Sequence, residues 1–122
     1  MLPAMPFAFD SRVREGVLHL TLAGDLLGDT DSDAVLRLAE AHISTGTILA
    51  LADLSGIRFL NSSGLSVLIG LLTRFRNAGG ELLLVNPSAE LRKLLVITRL
   101  EAIFTLAPDL PTAEQRLRVL AS

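Results

Sequence analysis

The sequence predicts a single α/β domain: a mixed sheet of about five strands that opens with an antiparallel hairpin and carries helices packed on it. Three observations lead there. Short apolar runs of strand character alternate with segments whose apolar residues recur at helical spacing. The length of 122 residues suits one core. No linker, internal repeat or low-complexity tract divides the chain, so residues 1–122 read as one domain, with 1–6 expected to be loosely ordered. Half the residues are hydrophobic and a fifth are charged, a balance that belongs to a globular chain.

The elements follow in order. "VLHLTLA" (17–23) carries Val17, Leu18, Leu20 and Leu22 and reads as a strand; Gly16 before it turns the chain back on an earlier strand near Phe7 to Val13. In "DTDSDAVLRLAEAHI" the period changes to that of a helix, with Val35, Leu38, Ala39 and Ile43 on one face. Thr30 with Asp33 resembles a capping box there, and Asp31 and Asp33 suit the positive end of the helix. "TILALADL" (47–54) is almost continuously apolar, as a strand buried on both faces must be. Leu65, Leu68, Ile69, Leu72 and Phe75 form the next helical stripe, stopped by Asn77-Ala78-Gly79-Gly80. "ELLLV" (81–85) is a further buried strand, and Pro87-Ser88 opens a helix with Leu91, Leu94 and Leu95. "AIFTL" (102–106) reads as the last strand, and Pro111 or Thr112 as the start of a terminal helix.

Composition removes several function classes. A net charge of -2 leaves no basic footprint for nucleic acid. Without cysteine there is neither a disulfide nor a thiolate metal site. No apolar run approaches the roughly 20 residues of a membrane helix, and "MLPAMPFAF" lacks the basic and apolar regions of a signal peptide. The expectation is a cytoplasmic protein without a membrane or direct nucleic-acid partner.

Enzyme motifs fail in turn. The only imidazoles, His19 and His42, fall in a strand and near a helix end, away from any serine pair. Leu60 stands two residues before Ser62, where a nucleophile elbow needs glycine. No glycine-rich loop ends in Gly-Lys-Ser/Thr, which leaves nucleotide binding unsupported, and "NAGGELLL" runs from helix to strand, the wrong order for a phosphate cradle. Asp25, Asp29, Asp31 and Asp33 lack the glycine and bidentate glutamate of a calcium loop. The expectation is therefore no catalytic residue, no cofactor and no metal.

What remains is "FLNSSGLS" (59–66), small polar residues between an apolar strand and an apolar helix. Ser62 or Ser63 suits a helix cap. Gly64 lowers helix propensity in the first turn, which a cap alone does not require, and a small residue there lets another backbone come close.

Together these segments resemble the STAS domain, the family of bacterial anti-sigma factor antagonists. Residues 53–65, "DLSGIRFLNSSGL", are similar to the family's "DLSGVxFLDSSGL" signature. Gly24-Asp25-Leu26 is similar to its "GEL", Gly79-Gly80 precedes a strand in its manner, and Thr98-Arg99-Leu100 with Phe104 echoes its "TGL…F" tail. The resemblance implies a phosphoprotein of signal transduction and transcription regulation that is not an enzyme. Ser62 is then the phosphorylated residue. The implied partners are an anti-sigma factor of the serine kinase type, bound by the unphosphorylated form so that a sigma factor is released, and a PP2C-type phosphatase that resets the switch. The expected partner-binding residues are Asp25, Leu26, Asn61, Ser62, Ser63, Gly64 and Leu65. For Leu65 a docking role and a core role both stand, because its phase matches Leu68 and Leu72. Asn61 occupies the place of the family's usual Asp, Leu27 that of an acid, and Arg99 that of a glycine. The first two favour the alternative of an unphosphorylated STAS scaffold in a larger signalling or transport-associated complex.

Overall fold

The computed structural model describes residues 5–121; the expectation for residues 1–6 falls mostly outside that range. Five strands and four helices follow one another as β1 (Ala8–Arg14), β2 (Val17–Leu26), α1 (Thr30–Ser44), β3 (Leu49–Leu60), α2 (Ser62–Asn77), β4 (Glu81–Val85), α3 (Ala89–Ile97), β5 (Thr105–Ala107) and α4 (Leu110–Ala121). The expected mixed α/β sheet with an antiparallel hairpin is the architecture found. β1 pairs antiparallel with β2, and β2, β3, β4 and β5 run parallel, in the spatial order β1-β2-β3-β4-β5. The hairpin closes through Glu15 and Gly16, both at positive φ, the backbone that a tight two-residue turn between twisted strands demands.

Strand order that never reverses has a direct consequence for the layers. Successive right-handed crossovers in one direction carry α1, α2 and α3 to the same side of the sheet. Their core includes Leu18, Leu20, Leu22, Val35, Leu68 and Leu91. α4 follows the last strand and covers the other side, over Leu51, Leu83, Val85 and Ala107. Alternate residues of β3 and β4 thus enter different cores, which is why "LALADL" and "ELLLV" are apolar without alternation.

Several boundaries differ from expectation, each for a local reason. α1 is capped by Asp29, whose side chain accepts from the Ser32 N–H at 3.3 Å; Thr30 is already helical, so the Thr30–Asp33 capping box does not form. α3 begins at Ala89 under a Ser88 cap, whose hydroxyl accepts from the Leu91 N–H at 3.1 Å. β3 continues to Leu60, six residues past the apolar run. The last strand is Thr105–Ala107 and not 102–106, because the chain leaving α3 is still turning there: the Leu100 N–H reaches back to the Leu95 carbonyl at 2.8 Å, and the Ile103 N–H to Leu100 at 3.1 Å. Phe104 is buried from this turn rather than from a strand. α4 begins at Leu110, with Asp109 accepting from the Thr112 N–H at 2.8 Å.

The turn after α3 needs a left-handed residue, and Arg99 supplies it at φ 59°. A Cβ in that conformation costs about 1 kcal/mol that glycine does not incur. Arg99→Gly is expected to stabilise the domain by about 0.5–1 kcal/mol after the added entropy of the unfolded chain is subtracted, read as a rise in urea midpoint at unchanged slope.

Candidate functional site

The site lies where β2 and β3 end and α2 begins. Asn61, extended at φ -111° and ψ -176°, is the N-cap of α2: its side-chain oxygen accepts from the Gly64 N–H at 2.7 Å and its carbonyl from the Leu65 N–H at 2.9 Å. The cap role expected of Ser62 or Ser63 is therefore taken by the residue before them. An amide oxygen one position earlier reaches the third helical N–H, a geometry open to Asn as much as to Ser. Freed from capping, Ser62 is the first helical residue and is exposed, as is Ser63. Among the described residues the Ser62 hydroxyl has no hydrogen-bond partner, and the first turn of α2 holds no acidic side chain.

Gly64 explains its own presence. A Cβ built on it would lie 2.0 Å from the Leu26 carbonyl oxygen, so the end of β2 rests directly on the first turn of α2. Gly28, at φ 75°, meets the same turn from outside: its Cβ would come within 2.7 Å of the Ser63 Cβ. The loop from β2 to α1 is thereby seated against the serine pair.

The other expected site residues separate by burial. Leu65 is 3% exposed and packs in the core, the second of the two roles its phase allowed. Gly64 and Leu26 are buried too. Asp25 is 6% exposed, and its carboxylate accepts from the Arg58 guanidinium twice, from Nε at 3.0 Å and from Nη2 at 2.8 Å, and from the Met5 N–H at 3.0 Å. The surface of the site is Ser62 and Ser63, with Asn61 half-buried between strand and helix. Buried beneath it, Asp25, Leu26, Gly64 and Leu65 shape that surface without forming it. His19 points to the α4 side of the sheet, where it stands beside Glu114 and Arg118, and His42 is in the last turn of α1.

Three contributors carried no assigned role in the sequence. Arg58 is in the signature but only the fold shows its partner. Gly28 has the same standing: nothing local indicates that it must meet Ser63. Asn86 is left-handed at φ 56° and donates from its side chain to Asp53 Oδ1 at 3.1 Å, while the Ser55 N–H donates to the same oxygen at 3.0 Å; this fastens β3 to the turn after β4.

The STAS domain family profile matches residues 8–113. The chain belongs to the STAS family. The anti-sigma F factor antagonist of Lysinibacillus sphaericus is 31% identical over 84 residues, which span 66% of this chain and 72% of that protein. An anti-sigma factor antagonist from Mycobacterium paratuberculosis superposes with a TM-score of 0.77 at 23% identity, covering 93% of this chain and 95% of its own. The Bacillus anti-sigma factor antagonist SpoIIAA, in its unphosphorylated form, gives a TM-score of 0.73 at 20% identity over 91% and 98% of the two chains; its phosphorylated form gives 0.68. At those identities the three structures share this chain's fold. No helix among the described residues is long and apolar enough to cross a membrane.

Gly64→Ala sets two effects against each other: a gain in helix propensity of about 1 kcal/mol and a clash with a carbonyl that cannot move without dislodging β2. The clash dominates, and a net loss of about 2 kcal/mol is expected in denaturant unfolding. Asp25 gives a second test. Its hydrogen bonds from Arg58, first, and from Met5 hold its carboxyl below the ordinary value of 3.8 against the opposing effect of desolvation. A lowered folded pKa means that the ionised group stabilises the fold fully above 3.8, and that this contribution fades as pH falls through the folded value. The stability difference between wild type and Asp25→Asn is expected to be constant from neutral pH down to that region and to shrink below it, as measured by urea midpoints.

Proposed function

We propose that the protein is an anti-sigma factor antagonist of the bacterial cytoplasm, and that phosphorylation of Ser62 by an anti-sigma factor with serine kinase activity switches its binding. Family membership and the names of its relatives support the first part. One observation supports the second: the Ser62 hydroxyl stands exposed at the first position of α2, beside the exposed Ser63 and without a hydrogen-bond partner among the described residues, while Asn61 is committed to the cap and Gly64 and Leu65 to the core. The unphosphorylated form binds the anti-sigma factor and so frees a sigma factor; a PP2C-type phosphatase restores it.

The electrostatics suit such a switch. A phosphoryl group adds about -1.5 to -2 charges and three acceptor oxygens. At a helix start it meets unpaired N–H groups and the positive end of the helix dipole, and no carboxylate in the first turn opposes it. The domain thus keeps its fold. A partner packed over Ser62 and Ser63 is in a different position, because it must desolvate the new charge. A penalty of about 3 kcal/mol weakens such a complex roughly a hundredfold.

Incubation with the co-purifying anti-sigma factor and ATP is expected to add roughly 80 daltons, the mass of one phosphoryl group, and Ser62→Ala to abolish the gain. Ser62→Asp is expected to weaken the complex by about tenfold or more, and Ser62→Ala to leave it constitutive. An unchanged mass together with equal affinities would replace the switch with the unphosphorylated scaffold.

A further inference from the structure

We infer that Arg58 and Asp25 are the positioning pair of the switch: Arg58 is a bulge residue whose side chain, locked onto Asp25, sets the phase in which β3 delivers Asn61 and Ser62. The inference rests on the reading of Ser62 as the switch, and it gives Asp25 a role other than partner contact.

Pairing between β2 and β3 proceeds in step from Val17 opposite Leu49 to Thr21 opposite Asp53, then slips twice. Ala23 faces Gly56, and after Gly24 opposite Ile57 the next pair is Asp25 opposite Phe59. Arg58 has no counterpart on β2. It is the extra residue of the second slip. An extra residue bends a strand and re-aims the side chains that follow it, and a slip of one residue exchanges the two faces of everything downstream. Downstream here are Phe59, Leu60, the Asn61 cap and Ser62.

Such an irregularity needs a fastening, since it gives up regular ladder bonds. The Arg58 guanidinium provides it by gripping both oxygens of a carboxylate that is almost out of solvent. A planar fork on a carboxylate fixes orientation as well as distance. The same carboxylate accepts the Met5 N–H, and the Asp25 N–H donates to the Met5 carbonyl at 3.0 Å, so the segment before β1 is tied to the clamp. Pro6 crosses over Gly24, where a Cβ would lie 2.1 Å from its carbonyl oxygen. The next residue along β2, Leu26, offers the carbonyl on which Gly64 rests. Clamp, bulge, cap and exposed serine form one chain of contacts.

The test compares wild type with Arg58→Gln, Arg58→Lys, Asp25→Asn and the double variant Arg58→Gln/Asp25→Asn. Hydrogen exchange is followed at the Gly64 amide, which donates to the Asn61 cap, and at the Leu83 amide in the interior strand β4. Affinity for the co-purifying anti-sigma factor is measured on the same samples. The expected result is Gly64 exchange faster by about tenfold in both neutralising variants with Leu83 unchanged. Affinity falls by about tenfold, the double variant is no worse than either single, and Arg58→Lys, which keeps the charge but not the fork, lies between. Wild-type exchange at Gly64 in the neutralised variants would overturn the inference. So would unchanged affinity despite faster exchange, and so would equal acceleration at Leu83, which marks general destabilisation. If wild type itself binds no anti-sigma factor, the functional reading falls, while the Gly64 amide still decides whether the pair positions the cap.

Discussion

The site depends on one close approach, that of the Leu26 carbonyl to the first turn of α2 at Gly64. The end of β2 could not rest there if residue 64 carried a Cβ, and the loop after it could not settle against Ser63 without a second glycine at 28. Steric permission at two positions thus sets the relation of two crossover units, and the serine pair is displayed as a result. The hydrogen bonds of Asn61 then fix the helix start without engaging either hydroxyl. Packing does the positioning, and the Ser62 hydroxyl is left without a structural duty.

That separation of duties matters for the proposed switch. A hydroxyl that capped α2 would, once modified, change the helix it belongs to. Asn61 removes that coupling. It is also neutral, so an incoming anion meets the helix terminus without a carboxylate in the first turn. Asp25 lies beneath the surface and is paired with Arg58.

Much of the fold was legible because burial and period coincide. The helical stripe of α2 is buried at Leu65, Leu68, Leu72 and Phe75, and "ELLLV" is buried at four of its five positions. The misreadings have a common cause in choices that local sequence leaves degenerate. Asp29 and Thr30 are both acceptable caps, as are Asn61, Ser62 and Ser63, and tertiary geometry selects among them. "AIFTL" has strand composition, yet the turn at Arg99 consumes its first residues. At the site, Ser62 and Gly64 stood out in the sequence, while the Arg58–Asp25 pair did not: the two residues are far apart in the chain, and only the slipped pairing of β2 and β3 brings them together.

The unreversed strand order has a last consequence. Open parallel sheets hold small ligands in the crevice that opens where neighbouring crossovers depart to opposite sides. Here α1, α2 and α3 all depart to one side, so among the described residues the parallel strands have no switch point of that kind. What borders the carboxyl end of β3 instead is a groove between Ile57, Phe59 and Leu60 on the strand and Leu91, Leu94 and Ile97 on α3.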